Sequence, residues 1–489
     1  MECELASSIP FFRSGGRVGA AGGEQLGLMS GLLLYDSGEA EQTFLYRCQD
    51  RYLTYNSICG LRTVLFVADQ AHQAVYRSLI QEHDRRIRLI RERTGIPLPK
   101  TPPVWFATVD LCRLEPVTFP SSYTMALNQV SPMCSHLVGE CLRPLGEIAL
   151  QWHDKSHYVR AASSAPQGLP LHAATALVSM DEFRTLATWQ DLCSLWRERT
   201  GAPEPAALYV KSSFDSGGNA AARLSRSSFD AAMRRLQASL RCGPDLAQLR
   251  SDIGMATSLA GRSFSEKCLR GFLRDQRGRR GNVCMLVQEA IESPEDGGIH
   301  GLGITCNISP ADCVEIVAAA GQLYRDPGRH HYAGSYLDDM AVGKVLTQQV
   351  QRLCSLLARD GYRGPVNFDA RRGATDEWVF LYDCNPRLSA VYPALAVRQF
   401  LRSHHYEVRT LANFGYRGEF ASANLDRLLS DLEAAGLLCR DARLAGILPL
   451  PNLARERGLD FFAVNIPYSE LGALAARYRS ASGLEFRVF

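Results

Sequence analysis

The stretch "FDARRGATDEWVFLYDCNPR", residues 368–387, consists of two strand-like runs joined by a polar turn. The first run extends back to "GPVNFDARR" (364–372), and the second, "WVFLYDCN" (378–385), is rich in the aromatic and β-branched residues that favour strands. The residues "GATDE" between them are typical of turns. The sequence therefore predicts a β-hairpin here.

The predicted hairpin carries three side chains with oxygen ligands. Because side chains alternate along a strand, Asp383 and Asn385 share one face of the sheet. Asp369 and Asp383 are equally distant from Asp376 in the turn, so a simple hairpin places them opposite each other. Two facing carboxylates repel unless a cation lies between them, and Mg²⁺ prefers such oxygen ligands. The pattern indicates a metal site; a plain surface hairpin is the alternative.

Two cations accompany strand ends. Arg387 follows the proline that stops the second strand, and its guanidinium could hold a phosphate or a carboxylate in a fork. Lys211 ends the strand "ALYVK", and the donor-rich turn "SSFDSGGNA" (212–220) follows directly. Small residues in such a turn let backbone N–H groups and hydroxyls approach a polyphosphate. The candidates in this turn are Ser216, Gly217 and Gly218. An ordinary hairpin turn with an exposed lysine is the alternative.

A second lysine and the end of another strand are further candidates for binding a nucleotide. Lys155 lies in "WHDKSHYVRAA", at the start of a predicted helix, where a surface lysine is the alternative. The buried strand "NVCMLVQEAI" (282–291) ends with Glu289 and, after Ile291, Glu292. The backbone of such a strand end can bind an adenine edge while a carboxylate holds ribose hydroxyls; an ordinary strand exit is the alternative.

Taken in order, these pieces resemble the ATP-grasp superfamily. Its pattern is Asp-Lys, a strand lysine with a small-residue loop, a strand glutamate, a strand acid, and finally acid-x-Asn-Pro-Arg. This sequence has "HDK", "YVKSSFDSGG", "VQEAIE", "GPVNFDAR" and "YDCNPR", all within about residues 150–400. The final acid is usually Glu, and here it is the shorter Asp383. Residues 401–489, with "GILPL", have a more limited likeness to the C-terminal extension of pheganomycin-type peptide ligases.

The resemblance implies an α/β and α+β architecture with an ATP-grasp fold. Residues 1–150, where predicted strands and helices alternate, would form a pre-ATP-grasp α/β domain. Residues 151–400 would form the nucleotide-binding and catalytic domain, with ATP between two α+β subdomains, and residues 401–489 a C-terminal extension. The loop "LYRDPGRHHYAGSYLDD" (323–339) would help to bind substrate through Arg325 or Arg329.

The resemblance also implies a reaction and the roles of residues in it. A carboxylate would attack the γ-phosphoryl group of ATP, and an amine would then displace phosphate from the acylphosphate. Lys155 and Lys211 would contact the nucleotide phosphates, and Asp369, Asp383 and Asn385 would bind Mg²⁺. The two guanidinium groups near the hairpin, Arg371 and Arg387, would stabilise the transferring group. The turn after Lys211 would close over the site.

Composition limits the function classes. The chain has 489 residues, 46% of them hydrophobic and 21% charged, which suggests a globular protein of about three domains. A net charge of +3 argues against nucleic acid or a membrane as the main partner. Scattered single cysteines, 15 in all, without a Cys-x-x-Cys pair, and a start without signal-peptide character predict a cytoplasmic protein with reduced thiols. A homodimer is an expectation by analogy only.

The sequence leaves three candidate functions. The first is an ATP-dependent ligase that joins a small carboxylate, such as an amino acid or peptide, to an amine. The second is an ATP-grasp carboxylase or phosphotransferase. The third, suggested by the shortened acid at Asp383, is a nucleotide-binding scaffold without turnover.

Overall fold

The structure is a computed structural model of the chain. It describes residues 25–28, 52–59, 62–67, 70–108, 124–126, 148–149, 151–165, 169–213, 221–234, 284–294, 298–309, 313–324, 332–339, 343–387, 389–414, 416–417, 425–451, 459–482 and 485–486. Within these residues, no helix is both long enough and apolar enough to cross a membrane.

The N-terminal part contains a parallel four-stranded sheet, as the predicted α/β domain requires. Its strands are β1 (Gln25–Leu28), β2 (Arg62–Val67), β3 (Trp105–Thr108) and β4 (Thr124–Ala126), in the order β3-β2-β1-β4. Helices α1 (Tyr52–Ile58) and α2 (Gln70–Thr94) accompany it. Helix α2 ends at Gly95, whose φ of 76° is the left-handed conformation that glycine adopts readily. The sequence "TFLYRC" (43–48) also predicts a buried strand, but it lies outside the described residues.

A smaller antiparallel sheet follows, and we call it the small lobe. Its strands are β5 (Thr175–Ser179), β6 (Ala207–Ser212), β7 (Ala221–Ser225) and β8 (Cys284–Glu289), in the order β5-β8-β6-β7. Helix α3 (Lys155–Ser163) precedes it, and α4 (Met180–Thr185) and α5 (Trp189–Thr200) pack beside it. A capping box between Thr188 and Asp191 begins α5, and Trp196 buries its apolar face in the lobe's core.

The largest sheet is antiparallel and has eight strands in the order β13-β12-β9-β10-β11-β14-β17-β16. They are β9 (Gly301–Ile308), β10 (Val314–Tyr324), β11 (Tyr332–Leu337), β12 (Gly364–Arg372), β13 (Trp378–Asn385), β14 (Leu411–Phe414), β16 (Gly446–Pro451) and β17 (Leu459–Val464). A two-stranded sheet of β15 (Tyr416–Arg417) and β18 (Glu485–Phe486) lies apart from it. The remaining α-helices of the described residues are α6 (Lys344–Arg359), α7 (Tyr392–Ser403), α8 (Leu425–Ala434) and α9 (Leu471–Ser482).

Two segments differ from the sequence predictions. The sequence "DDMAVGKVLTQQVQRLCSLLARDGY" (338–362) predicts a long helix that stops at a glycine. The observed helix is shorter, since α6 begins after Gly343 and ends before Gly361, whose φ is 93°. The segment 323–339, predicted as a loop, contains strand β11, because its aromatic residues fill a sheet position between β10 and β14. Arg325 and Arg329, together with His330 and His331, lie outside the described residues.

The C-terminal segment is integrated with the rest of the chain. Strands β14, β16 and β17 continue the eight-stranded sheet past residue 400. One buried apolar cluster unites Tyr55 of α1 and Ile90 of α2 with Phe400 of α7 and Phe462 of β17. The predicted domain boundaries at residues 150 and 400 stay predictions, and the large sheet crosses the second of them.

A short segment before β5 joins the small lobe to the predicted hairpin. The backbone of Phe380 in β13 donates to Leu171 at 2.8 Å and accepts from Ala173 at 3.1 Å. Between them, His172 accepts from the Tyr158 hydroxyl at Nε2 (2.9 Å), because its Nδ1 lies 2.8 Å from the Pro170 carbonyl and must be the protonated nitrogen. Burial lowers the pKa of His172 to about 4, so the imidazole is neutral at pH 7.

We predict that His172 makes the fold sensitive to acid. Its pKa is about 4 in the folded state, against the ordinary value of 6.5, so the unfolded state takes up the proton first. The stability that the neutral His172 side chain contributes is complete above pH 6.5 and is lost as the pH falls towards 4. At pH 5 the loss amounts to about 2 kcal/mol.

His172→Gln preserves a donor and an acceptor without the titration. The fall in unfolding free energy between pH 7 and pH 5, measured by urea titration, should be about 2 kcal/mol smaller in this variant. The exposed His405, whose φ of 66° suits asparagine, provides the control His405→Asn. Equal pH dependence in wild type and His172→Gln would refute the assignment.

Candidate active site

The hairpin forms as predicted, but its register contains an irregularity. Near the turn, Arg372 pairs with Trp378 and Ala370 with Phe380. A bulge then shifts the register, and Asn367 pairs with Asn385. Asp369 lies at this shift, directly after the pair Phe368–Cys384, which has the register that the simple hairpin predicts. The bulge still leaves the two acids as neighbours, since the charge of Asp383 contributes to the raised pKa of Asp369.

A cavity of about 270 Å³ lies where the small lobe faces the large sheet. Strands β6 and β8 supply one wall, and β10, β12 and β13 supply the other. Among the predicted site residues, those that line it are Lys155, Lys211, Glu289, Ile291, Asp369, Arg371, Asp383, Asn385 and Arg387. Lys155 and Arg387, the outermost of these residues, are 232 positions apart in sequence (387 − 155), and local patterns could only propose them separately.

Two buried lysines bind one carboxylate at the centre of the cavity. Lys211 Nζ lies 2.6 Å from Asp383 Oδ2, and Lys155 Nζ lies 3.2 Å from Asp383 Oδ1. The Asp154 side chain caps α3 by accepting from the Ser156 N–H, and this cap fixes Lys155 as the first residue of the helix. Burial raises the pKa of Asp383, but the two ammonium groups outweigh it and lower the pKa to about 2. Asp383 is therefore ionised at neutral pH.

Asp369 has the opposite electrostatic environment. Burial and the charge of Asp383 raise its pKa to about 7, although a hydrogen bond from Asn367 works against the shift. Asn367 Nδ2 and Gln322 Nε2 each donate to Asp369 Oδ1, both at 2.8 Å. Among the described residues, no hydrogen bond uses Asp369 Oδ2. A carboxylate held by one oxygen beside a second carboxylate is a favourable position for a cation.

The two predicted catalytic arginines lie along the same hairpin. Arg387 Nη2 donates to Asn385 Oδ1 at 3.1 Å, so the amide oxygen predicted to bind a metal contacts a cation of the chain. The Arg371 guanidinium carbon lies 5.1 Å from the ring centre of Tyr324, within the range of a cation–π interaction. Both arginines line the cavity.

The end of β8 forms the side of the cavity predicted to hold the base and ribose. Glu289, Ala290 and Ile291 line it. Glu292 lies beyond the lining residues, where its carboxylate binds Arg223 at 2.7 Å and is 64% exposed. The predicted phosphate-binding residues Ser216, Gly217 and Gly218 lie outside the described residues, and their roles stay predictions.

Buried polar atoms collect around the start of α3. Ser156 Oγ, Ser212 Oγ, Ser213 Oγ and His153 Nδ1 are buried without a hydrogen-bond partner among the described residues. The Lys155 backbone N–H donates to the Ser213 carbonyl at 2.9 Å, which brings the helix start and the end of β6 together. Burial and the nearby charge of Lys155 lower the pKa of His153 to about 3, so His153 is neutral at pH 7.

Several cavity residues were not identified from the sequence. Tyr209 and Gln288 line the small-lobe wall, and Gln322, Tyr324 and Asn367 line or support the opposite wall. Tyr209 lies two residues before Lys211 on β6, so strand alternation could have placed it on the same face. Gln322 reaches Asp369 across 47 positions of sequence, and no local pattern indicates that contact.

The candidate metal ligands are all oxygen atoms. Among the described residues, no cluster of three or more His, Cys, Asp and Glu side chains is placed to hold a metal ion. The predicted set has only two such side chains, Asp369 and Asp383, and its third member is the amide of Asn385. Asp369, Asp383 and Asn385 all line the same cavity.

Comparison with known proteins gave matches among solved structures. No protein-family model and no curated protein matches the chain. N5-carboxyaminoimidazole synthetase from Staphylococcus aureus is 9% identical with a TM-score of 0.47, over 94% of this chain and 98% of that one. L-amino acid ligase from Bacillus licheniformis is 12% identical with a TM-score of 0.42, over 96% and 99% of the two chains. These values describe a similar path of the polypeptide backbone and say nothing about activity.

The architecture itself agrees with the fold that the sequence motifs imply. A parallel α/β sheet precedes two antiparallel lobes, and the motif residues of both lobes converge on one cavity between them. On this basis, the chain has an ATP-grasp fold.

Proposed function

We propose that the protein is an ATP-dependent ligase that joins a small carboxylate to an amine through an acylphosphate, with release of ADP and phosphate. The observation that carries the proposal is the convergence of two buried lysines, two neighbouring carboxylates and two arginines on one cavity. Buried charges are rare outside functional sites and paired clusters, and this cluster faces an open space.

The lysine pair supports a polyphosphate site. Lys155 and Lys211 are each 5% exposed, and both ammonium groups share Asp383. The unpartnered hydroxyls of Ser212 and Ser213 lie at the end of the same strand as Lys211. A triphosphate would receive hydrogen bonds from these groups and would satisfy the Ser212 and Ser213 hydroxyls, which have no partner among the described residues.

The acidic residues suit a magnesium ion that accompanies the nucleotide. Asp369, Asp383 and Asn385 would hold it through oxygen atoms. Burial and the charge of Asp383 raise the pKa of Asp369, and a bound cation would offset both effects. When bound, the ion would neutralise charge on the terminal phosphates. Lys155 and Lys211 would then exchange part of their contact with Asp383 for the phosphate oxygens.

The proposed chemistry needs positioning and charge, and no nucleophilic side chain. A carboxylate oxygen of the acid substrate attacks the γ-phosphorus, and the bond to the β,γ-bridging oxygen breaks to release ADP. The amine then attacks the acyl carbon, and phosphate leaves with one oxygen of the original carboxylate. Arg371 and Arg387 would hold the negative charge that develops in both steps.

An isotope experiment tests this sequence of bonds. Pairs of amino acids and small acids are first screened with ATP for phosphate release. For an active pair, acid labelled with ¹⁸O in its carboxylate should transfer one labelled oxygen to phosphate, as detected by mass spectrometry. ADP and amide should form in equal amounts.

Other outcomes would redirect the assignment. Release of AMP and pyrophosphate, or phosphate without label, would contradict an acylphosphate route. A requirement for bicarbonate would indicate a carboxylase, and a stable phosphorylated product would indicate a phosphotransferase. Protein with Asp383→Asn, purified in the same way, controls for contaminating ATPases.

A further inference from the structure

Gln322 and Tyr324 lie two residues apart on β10, on the wall of the cavity opposite the lysines. Gln322 Nε2 donates to Asp369 Oδ1 at 2.8 Å, and the Tyr324 hydroxyl donates to Gln322 Oε1. The Tyr324 hydroxyl donates to the amide oxygen, so the amide nitrogen is the atom that faces Asp369. The relay therefore has one direction, from Tyr324 through Gln322 to Asp369.

Tyr324 contacts a second functional side chain through its ring. The Arg371 guanidinium carbon lies 5.1 Å from the ring centre, while the hydroxyl of the same residue belongs to the relay. Asp369 and Arg371 are separated by one residue on β12 and therefore share a face of the sheet. One side chain of β10 thus connects the candidate metal carboxylate and a candidate catalytic arginine.

The strand between β10 and β12 leaves room for these contacts. On β9, Gly301 pairs with Arg371 and Gly303 pairs with Asp369. A Cβ atom on Gly301 would overlap the Tyr324 hydroxyl and lie 2.8 Å from Gln322 Oε1. Because strands lie about 5 Å apart, Gln322 must reach over β9 to meet Asp369, and only bare backbone permits that approach.

A second relay holds the same carboxylate from its own strand. Asn367 Nδ2 donates to Asp369 Oδ1 at 2.8 Å, and Asn367 Oδ1 accepts from the Thr305 hydroxyl at 3.1 Å. Gly303 again provides space, since a Cβ there would lie 3.2 Å from Asn367 Oδ1. Two oriented amides thus fix one oxygen of Asp369 from opposite neighbours.

We propose that Gln322 and Tyr324 are positioning residues that hold the Asp369 carboxylate and the Arg371 guanidinium in one fixed arrangement. The inference rests on the proposed function, in which Asp369 binds the metal and Arg371 faces the transferring phosphoryl group. Neither Gln322 nor Tyr324 touches substrate in this account. They act by restricting the rotamers of the two side chains that do.

The test measures metal affinity directly. Mn²⁺ is titrated calorimetrically into protein saturated with a non-hydrolysable ATP analogue. Gln322→Leu removes the donor to Asp369 and should weaken Mn²⁺ binding by about 10- to 100-fold, the usual effect of losing a partner of a metal ligand. Tyr324→Phe keeps the ring beneath Arg371 but removes the hydroxyl contacts with Gln322 and Arg371, and should cause a smaller loss. Affinity for the analogue without metal should change less than about twofold.

A double variant separates a relay from two independent contacts. If Tyr324 acts on Asp369 only through Gln322, then Gln322→Leu combined with Tyr324→Phe should lose no more affinity than Gln322→Leu alone. Gly301→Ala should reproduce the loss by displacing both side chains. Gly472→Ala in α9, where a Cβ would meet nothing within 4 Å, is the matched control and should bind normally.

The results distinguish a failure of the positioning role from a failure of the proposed function. Unchanged Mn²⁺ affinity in Gln322→Leu, or losses that add in the double variant, would overturn the positioning role. Thermal unfolding identifies a variant that has simply lost stability, and Tyr324→Phe then carries the test, because it removes only one hydroxyl. A wild-type protein that binds no nucleotide would instead overturn the proposed function itself.

Discussion

Replacing Asp383 with asparagine is expected to reduce ATP-dependent turnover by about 1000-fold or more, because it removes the most central charge of the site. The carboxylate binds Lys211 at 2.6 Å and Lys155 at 3.2 Å, and it would also be a metal ligand. Its loss leaves two buried ammonium groups beside each other. Breaking one side of a buried ion pair costs about 3–5 kcal/mol of stability, so a lower melting temperature should accompany the loss of activity.

Two variants make this result specific. Asp383→Glu restores the acid that the family pattern has at this position and should retain measurable turnover. Asp376→Asn alters an exposed acid in the turn of the same hairpin, where a φ of 72° accommodates asparagine. It should behave as wild type in both activity and stability. Wild-type turnover in a folded Asp383→Asn protein would remove Asp383 from the site.

Replacing Lys211 with methionine is expected to weaken ATP binding and to lower turnover by about 100-fold or more. Methionine retains most of the apolar stem and removes the ammonium group, so packing at the end of β6 should survive. Burial raises the pKa of Asp383, and the charge of the Lys211 ammonium is the largest of the influences that lower it.

Binding and activity can be measured on the same preparation. Calorimetry with an ATP analogue reports affinity, and phosphate release with the substrate pair reports turnover. Lys344→Met changes an exposed lysine at the start of α6 and serves as the matched control. An ATP affinity of Lys211→Met within twofold of wild type would contradict the role of Lys211 in phosphate binding.

The hairpin could be predicted from the sequence because its determinants are local. The aromatic and β-branched run from Trp378 and the polar turn specify β13, and the structure has the same bounds for β12 and β13 as predicted. The bulge near Asp369 was not predicted, since it depends on how β12 pairs with β9 and β13 together. It changes which residues face each other without separating the acids.

The supporting residues could not be predicted for a different reason. The strand containing Gln322 and Tyr324, "VEIVAAAGQLY", has no local feature that distinguishes these two side chains from ordinary strand residues. They meet Asp369 and Arg371 only because the fold places β10 and β12 on either side of β9. The alternating glycines of "GLG" at 301–303 are the one sequence signal, because glycine within a strand indicates the close approach of another group.

The central claim is that Asp369, Asp383 and Asn385 hold a metal ion against the phosphates of a nucleotide. A crystal structure with Mn²⁺ and a non-hydrolysable ATP analogue tests it most directly, because anomalous scattering locates Mn²⁺ independently of the protein density. We predict an anomalous peak in contact with oxygens of these three residues, with the triphosphate beside Lys155 and Lys211. A nucleotide bound elsewhere, or a peak remote from Asp369 and Asp383, would contradict the account.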